Sequence, residues 1–195
     1  MTKKTDIILI GGGGHCKSCI DVIEQEDKLS IAGIVDLQEN IGKKILGYPV
    51  IACDDDLADL AKKYSNFIVT VGFINSPDLR LNLYRRVKEL NSNLPVVISP
   101  HSYVSKHSEI GEGSMVFHNA VVNADAKVGV NTIINSCCLI EHDAVIGDHC
   151  HISTGAIVNG GARVGDQTFY GSGAVSKEYI SVPDKSFIKA HSIIK

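Results

Sequence analysis

The chain has 195 residues, 44% of them hydrophobic, with 18 Gly and no Trp, which is room for one or two domains with sizeable cores. A net charge of -3 and scattered basic residues leave no footprint for nucleic acid or an anionic membrane surface, so neither is expected as a partner. The apolar run Ile7 to Ile10 is ended by glycines and is too short for a signal-peptide core or a membrane span, which predicts a cytoplasmic protein.

In that compartment Cys16, Cys19, Cys53, Cys137, Cys138 and Cys150 should stay reduced. Cys16 and Cys19 form a lone CxxC. Without a second CxxC at metal-ligand spacing or a thioredoxin-like context, neither a redox pair nor a metal site is expected of them.

Residues 6–10 (DIILI) predict a buried strand. Gly11 to Gly14 and His15 follow, then a helix from about Lys17 to Glu26 and a second strand from Ile31 to Val35, ending at Asp36. Strand, glycine turn, helix, strand is the order of a Rossmann-like unit. Glycines let the backbone approach a phosphate, and the next helix offers free N–H groups and its positive dipole end. Asp36 lies where an acidic residue reaches a ribose or sugar hydroxyl. The fingerprint G-x-G-x-x-G is incomplete, because Cys16 stands at its third position. About 95 residues precede the repeat described below, too few for a full two-half dinucleotide fold. A nucleotide-sugar site therefore suits this half-fold better than an NAD site, and a glycine turn that merely packs helix on strand remains the alternative.

Gly47 to Ile51 predict a short strand, and Leu57, Leu60 and Ala61 a helix whose start carries the acidic cluster Asp54 to Asp56, favourable at the positive end of the dipole. Phe67 to Gly72 predict another strand. A helix opening at Asn75-Ser76-Pro77 should run to about Leu90, with Leu79, Leu83 and Val87 on its apolar face and Arg80, Arg85, Arg86 and Lys88 on the others. Arg80 is expected as an exposed, salt-bridging side chain, with a phosphate contact as the sharper reading.

From Ile98 every sixth residue is a β-branched aliphatic: Val104, Ile110, Val116, Val122, Val128, Ile134, Ile140, Ile146, Ile152, Val158 and Val164. Four residues after each comes a small side chain, from Ser102 to Thr168, Cys138 and Cys150 among them as packed core thiols. An unbroken period of six fits neither helix nor alternating strand and argues for a stacked parallel β-helix, three hexads to a triangular coil. The boundary falls near residue 96, giving domains 1–95 and 96–195. Past Thr168 only Tyr170 and Ala174 keep register. Residues 176–195, with Pro183 as a strand breaker, are expected to leave the repeat and cap the prism.

Outside the repeat's own needs stand Glu141-His142-Asp143, which follow Ile140 and point away from the core. His142 has the pKa range to accept a proton near neutral pH, and Asp143, or Glu141, could hold its tautomer. The residue one coil on is Gly160, expected to leave a gap beside the histidine in which a thioester could lie. His151 is half a coil further round, where in an oligomer it could face a neighbour's site. Asp148-His149 is the nearest competing pair, but Gln167 rather than a glycine stacks on it.

The hexad pattern resembles the hexapeptide-repeat acyltransferases. That resemblance implies a left-handed helix, a homotrimer and acetyl-CoA held between subunits. GGGGH, VISPHSYVS and NSCCLIEHDAVIGDHCHISTGAIVNGGARVG narrow it to the sialic acid O-acetyltransferase and UDP-amino-sugar N-acetyltransferase (NeuD/PglD-like) family. The family implies His142 as general base and Asp143 as its orienting carboxylate, Asn135, His151 and Gly160 around acetyl-CoA, and Gly13, Gly14, His15 and Asp36 around a nucleotide-sugar substrate. Departures are an apparently shorter repeat and Ile188-Lys189-Ala190-His191-Ser192 in place of a G-x-P-A-K-like end. The expected activity is acetyl transfer to a nucleotide-linked amino sugar or a sialic acid in surface-glycan biosynthesis. The alternatives are a Cys137 acyl-enzyme, a non-catalytic sugar-nucleotide-binding solenoid, and a metal-dependent β-helix enzyme.

Overall fold

The protein, as a computed structural model, is described over residues 4–195. It divides into two units, Met1–Gly72 with Asp78–Pro95 and Phe73–Pro77 with Val96–Lys195. Residues 73–77, assigned to the first domain by sequence, thus group with the second unit.

In the first unit β1 (Thr5–Ile10), α1 (Gly14–Glu26) and β2 (Leu29–Val35) are followed by β3 (Lys44–Ile45), β4 (Tyr48–Ala52), α2 (Leu57–Ala61), β5 (Asn66–Val69) and α3 (Asp78–Glu89). The sheet order is β3-β4-β2-β1-β5; β1 lies parallel between β2 and β5, and only β3 pairs antiparallel. Ile7 to Ile10 are wholly buried, as the continuous apolar run requires of a central parallel strand. On α1, Cys16, Cys19, Ile20, Val22 and Ile23 form the buried face. Burial drives the Cys16 thiol up to about 11 and raises Cys19 further still, so this CxxC is packing, held as unreactive thiol.

Two expectations for α3 are corrected. Leu79 is exposed, and the buried face is Arg80, Leu81, Leu83, Tyr84 and Val87. Arg80 is 1% exposed and donates from Nη1 to the carbonyls of Val69 at 2.6 Å and Val71 at 2.8 Å. A buried cation needs strong acceptors, and the last carbonyl of β5 and that of Val71 just after it supply them. Desolvation lowers its pKa only to about 10, so it stays charged at neutral pH.

The second unit is a left-handed parallel β-helix of two-residue strands in six-, six- and five-stranded walls. Each strand but those ending at Tyr170 and Ser176 ends on a hexad aliphatic, and strands eighteen residues apart pair in register, as Val122 with Ile140 and Ile140 with Val158. The aliphatics from Val116 to Val164 fill the prism at no more than 4% exposure. Each such burial contributes roughly 1.5–3 kcal/mol, and the repeat supplies it every sixth residue. Ala120, Ala126, Cys138, Ala144, Cys150, Ala156 and Ala162 pack at the corners, where burial pushes the Cys138 and Cys150 thiols up to about 12.

The prism does not stop where the pattern of residue types stops. Strands continue at Val175–Ser176, Ser181–Val182, Phe187–Ile188 and Ile193–Ile194, so residues 176–195 extend the coils instead of capping them, and Pro183 follows a strand without breaking it. The register was hidden by Ser176, which occupies an aliphatic position and is 2% exposed. Tyr170, the preceding hexad residue, is fully buried and its phenol bonds Ser176 and the Ile157 carbonyl. A large ring beside a small hydroxyl fills the volume that two aliphatics fill elsewhere.

The outward columns of the three walls differ. One carries Glu109, Lys127, Val145, Arg163 and Ser181, with Lys127 paired to Glu109 at 3.3 Å. The second carries Tyr103, Val121, Leu139, Ile157, Val175 and Ile193, apolar throughout, with its end members Tyr103 and Ile193 60% and 73% exposed. The third carries Val97, Met115, Ile133, His151, Phe169 and Phe187.

Candidate active site

In the first unit the predicted residues gather at the carboxyl ends of β1 and β2, next to the switch point between β1 and β5 at which α/β sheets bind ligands. Gly11 has φ +108, and a side chain there would collide with Val71, so the turn is open to glycine alone. Thr70 Oγ1 donates to the Gly11 carbonyl at 2.6 Å. Asp36 lies over Gly12, its Oδ2 2.6 Å from where a side-chain carbon would begin, and accepts from Asn40 Nδ2 at 2.9 Å. Gly13 is the N-cap of α1 and Gly14 its first residue; both are exposed, with nothing beside them within 4 Å. The His15 ring packs on Gly72. Gly12, Gly13, Gly14, His15 and Asp36 thus surround a helix N-terminus with no acidic residue in its first turn, a site ready for an anion. Asn40 and the Thr70 to Gly72 segment complete it. Sequence reading missed both, since the first orients Asp36 from a 3-10 turn (Gln38–Asn40) and the second arrives from β5.

In the second unit Asp143 sits at a corner with φ 60, left-handed backbone that Asp tolerates. Its Oδ2 accepts from His142 Nδ1 at 2.8 Å. Nδ1 therefore carries the proton and Nε2 presents a lone pair. The hydrogen bond that His142 donates to Asp143 is the chief reason that the His142 pKa is raised, with the charges of Asp143 and Glu141 adding to it. Both side chains are more than half exposed, at 58% and 61%. Glu141 points elsewhere: its Oε2 accepts from Asn123 Nδ2 at 2.8 Å and from the His142 N–H at 3.3 Å. Asp143 is the partner the geometry selects.

The gap expected beside Gly160 is filled. A side-chain carbon on Gly160 would lie 2.9 Å from His142 Cε1 and 3.0 Å from Nε2, so the imidazole itself lies over the glycine, and the Gly161 N–H bonds the His142 carbonyl at 3.0 Å. Gly161, φ +66, is covered in turn by the Tyr179 ring. Tyr179 belongs to the stretch that sequence reading treated as cap, and so was missed.

His151 is 8% exposed. Its Nδ1 donates to the Phe73 carbonyl at 2.7 Å, and its ring stands edge-on to Phe73 and Phe169. That leaves Nε2 to accept from Asn135 Nδ2 at 3.2 Å, while Asn135 Oδ1 accepts from the Ser136 N–H at 2.8 Å. Asn135 and His151 are brought together, with the amide orientation of Asn135 fully determined. The competing pair fails: Asp148 Oδ1 takes the Val130 N–H at 2.8 Å, and His149 Nδ1 meets Asn131. Among the described residues no group of three or more His, Cys, Asp or Glu is placed to hold a metal, and no helix is long and apolar enough to cross a membrane.

An imidazole held by a carboxylate on the outer corner of a hexapeptide-repeat prism is an arrangement that can serve acyl transfer as a general base. Residues 6–87 match the family model of the PglD N-terminal domain. The whole chain superposes on a His-to-Asn mutant of perosamine N-acetyltransferase from Caulobacter crescentus, solved with CoA and GDP-perosamine, at TM-score 0.91 and 28% identity over 100% of this chain and 90% of that one. It superposes on the acetyltransferase domain of PglB from Neisseria gonorrhoeae at TM-score 0.89 and 27% identity, over 98% and 92%. WeeI from Acinetobacter baumannii, 22% identical over 97% and 96%, shares the fold at TM-score 0.75. No curated protein matches the chain. Over its whole length the chain is thus similar to CoA-dependent sugar N-acetyltransferases built on the hexapeptide repeat, and residues 6–87 match the PglD N-terminal domain.

Proposed function

We propose that this protein transfers the acetyl group of acetyl-CoA to the amine of a nucleotide-linked sugar in surface-glycan biosynthesis, with His142 as general base and Asp143 as its positioning residue. The observation that carries the reading is the 2.8 Å bond from His142 Nδ1 to Asp143, which leaves Nε2 as the basic atom on an exposed corner. The neutral amine attacks the thioester carbonyl while Nε2 takes its proton. The new C–N bond forms, the C–S bond breaks, and the imidazolium returns the proton to the departing CoA thiolate. No acyl-enzyme is required, so Cys137 is a bystander.

Asn135 and Gly160 line the donor groove, and His151 holds the Asn135 amide from behind through the 3.2 Å bond. Gly13, Gly14, His15 and Asp36 hold the nucleotide sugar: the helix N-terminus takes a phosphate and Asp36 a ribose or sugar hydroxyl. The working assembly is a homotrimer, supported by the apolar column Tyr103, Val121, Leu139, Ile157, Val175 and Ile193, an outward stripe of a kind that in soluble proteins marks an interface. Leu139→Glu with Ile157→Lys should give a monomer in light scattering; a trimer that survives both changes removes that column from the interface. A cytoplasmic location is in keeping with six cysteines kept as thiols and with a phosphorylated acceptor.

The test is melting against acetyl-CoA, UDP-, GDP- and CMP-linked sugars, followed by rate measurement on His142→Ala. Native-state ligands raise the midpoint, and removal of the base should lower kcat by about 10²–10⁴ with binding intact. No shift with any CoA species, or full activity in His142→Ala, refutes the reading.

A further inference from the structure

Tyr179 is 77% exposed and stands with φ 55 in left-handed backbone that bulky residues avoid. Its position is nevertheless closely specified, because its N–H donates to the Gly160 carbonyl at 3.0 Å. Its ring folds onto Gly161, where Cδ1 and Cε1 come within 2.3 and 2.4 Å of where a side-chain carbon would start. His142 belongs to the coil on one side of the glycine pair and Tyr179 to the coil on the other, since strands eighteen residues apart are neighbours. The imidazole reaches from one side onto Gly160 and the phenol from the other onto Gly161. Two rings therefore flank one peptide unit whose Cα atoms are about 3.8 Å apart. The left-handed turn and its N–H bond recur at the corners of the prism, and His191 covers Gly173 in the same way; what sets this corner apart is a large, 77% exposed aromatic ring beside the peptide on which the His142 ring lies.

We infer that Tyr179 is a further substrate-contacting residue, the wall of the acyl-donor groove against which the pantetheine arm of acetyl-CoA lies as its thioester meets His142. This rests on the transferase reading above. The choice of donor over acceptor follows from the ring's chemistry. Lys177 and Glu178 are the exposed residues that precede Tyr179 and offset each other's charge. The pantetheine arm is uncharged and alternates flat amides with methylene and methyl groups that pack on an aromatic face.

The experiment is steady-state kinetics on Tyr179→Ala and Tyr179→Phe, with Tyr179→Trp as an optical probe in a chain that has no other Trp. Tyr179→Ala should raise KM for acetyl-CoA about tenfold, leave KM for the acceptor sugar unchanged and keep the wild-type melting midpoint. Tyr179→Phe should restore wild-type KM, because the face and not the hydroxyl does the binding. Emission of the Trp variant should change saturably with CoA and not with the nucleotide sugar. An unchanged acetyl-CoA KM in Tyr179→Ala, or a rise confined to the acceptor, overturns the assignment. Wild-type protein that neither binds nor uses acetyl-CoA would instead bring down the transferase reading, which the same titration detects separately.

Discussion

Replacing Gly160 by Ala should separate holding the base from folding the chain. The new methyl carbon would lie 2.9 Å from His142 Cε1 and 3.0 Å from Nε2, against an ordinary carbon contact of about 3.5–4.0 Å. The ring must therefore retreat by about 0.5–1 Å. The chain accommodates this easily, since what moves is the end of an exposed side chain. Gly160 has no left-handed φ to lose. The melting midpoint should stay within about 2 °C of wild type, on the order of 0.5 kcal/mol. Catalysis is less forgiving, because misplacing a reacting group by about 1 Å can cost on the order of a hundredfold. The assay is single-turnover acetyl transfer at saturating substrates on Gly160→Ala, on His142→Ala and on the double variant. Without the imidazole the methyl group has nothing to displace, so the double variant should match His142→Ala alone, a strongly non-additive cycle. Wild-type turnover in Gly160→Ala, or losses that add in the double variant, would falsify the placement of the ring over the glycine.

Asp143→Asn should move the acidic limb of the kcat/KM profile. The working form is neutral imidazole, so activity falls as pH drops through the His142 pKa; Asp143 raises that pKa, and its neutralisation should shift the limb to lower pH while the plateau falls through loss of the tautomer. A limb that stays in place rules out Asp143 as the partner. Arg80→Met should destabilise the first unit by about 2–5 kcal/mol, since the carbonyls of Val69 and Val71 lose their charged donor, with a melting shift well over 5 °C; a shift under 2 °C contradicts the buried clamp. A thiol reagent on the native protein should label exposed Cys137 first and half-buried Cys53 next. Cys16, Cys19, Cys138 and Cys150 should react only after unfolding, and early labelling of any of them by mass spectrometry contradicts the packing described.

The parts of the fold legible in sequence are those governed by a period. The hexads from Ile98 to Val164 announce the prism because each coil makes the same demand at the same place, and the run of Ile7 to Ile10 announces a central strand because burial on both faces leaves no polar position. His142 and Asp143 were legible for the opposite reason, as polar residues the period does not require. Illegible were the features made by meetings between distant segments. Arg80 reads as a surface cation until the carbonyls of Val69 and Val71 turn toward it. Tyr179 and the bond from His151 to Phe73 carry no local signal of their partners, and Asn40 meets Asp36 only because a 3-10 turn folds it back. Ser176 misled because the eye follows residue type, while the interior requires volume.

That exchange between Tyr170 and Ser176 bears on how such a protein changes over time. A core that needs a certain filling per coil, shared between neighbouring hexads, permits two-step substitutions in which one position grows and the next shrinks while the path of the main chain stays put. Corners beyond such a pair keep their height along the axis in steps of about 4.8 Å, one strand spacing each. The prism acts as a ruler. Residues planted on its outer edge can be rewritten for a different acceptor or acyl group while the graduation beneath them holds, which leaves the chemistry at His142 insulated from drift in the interior.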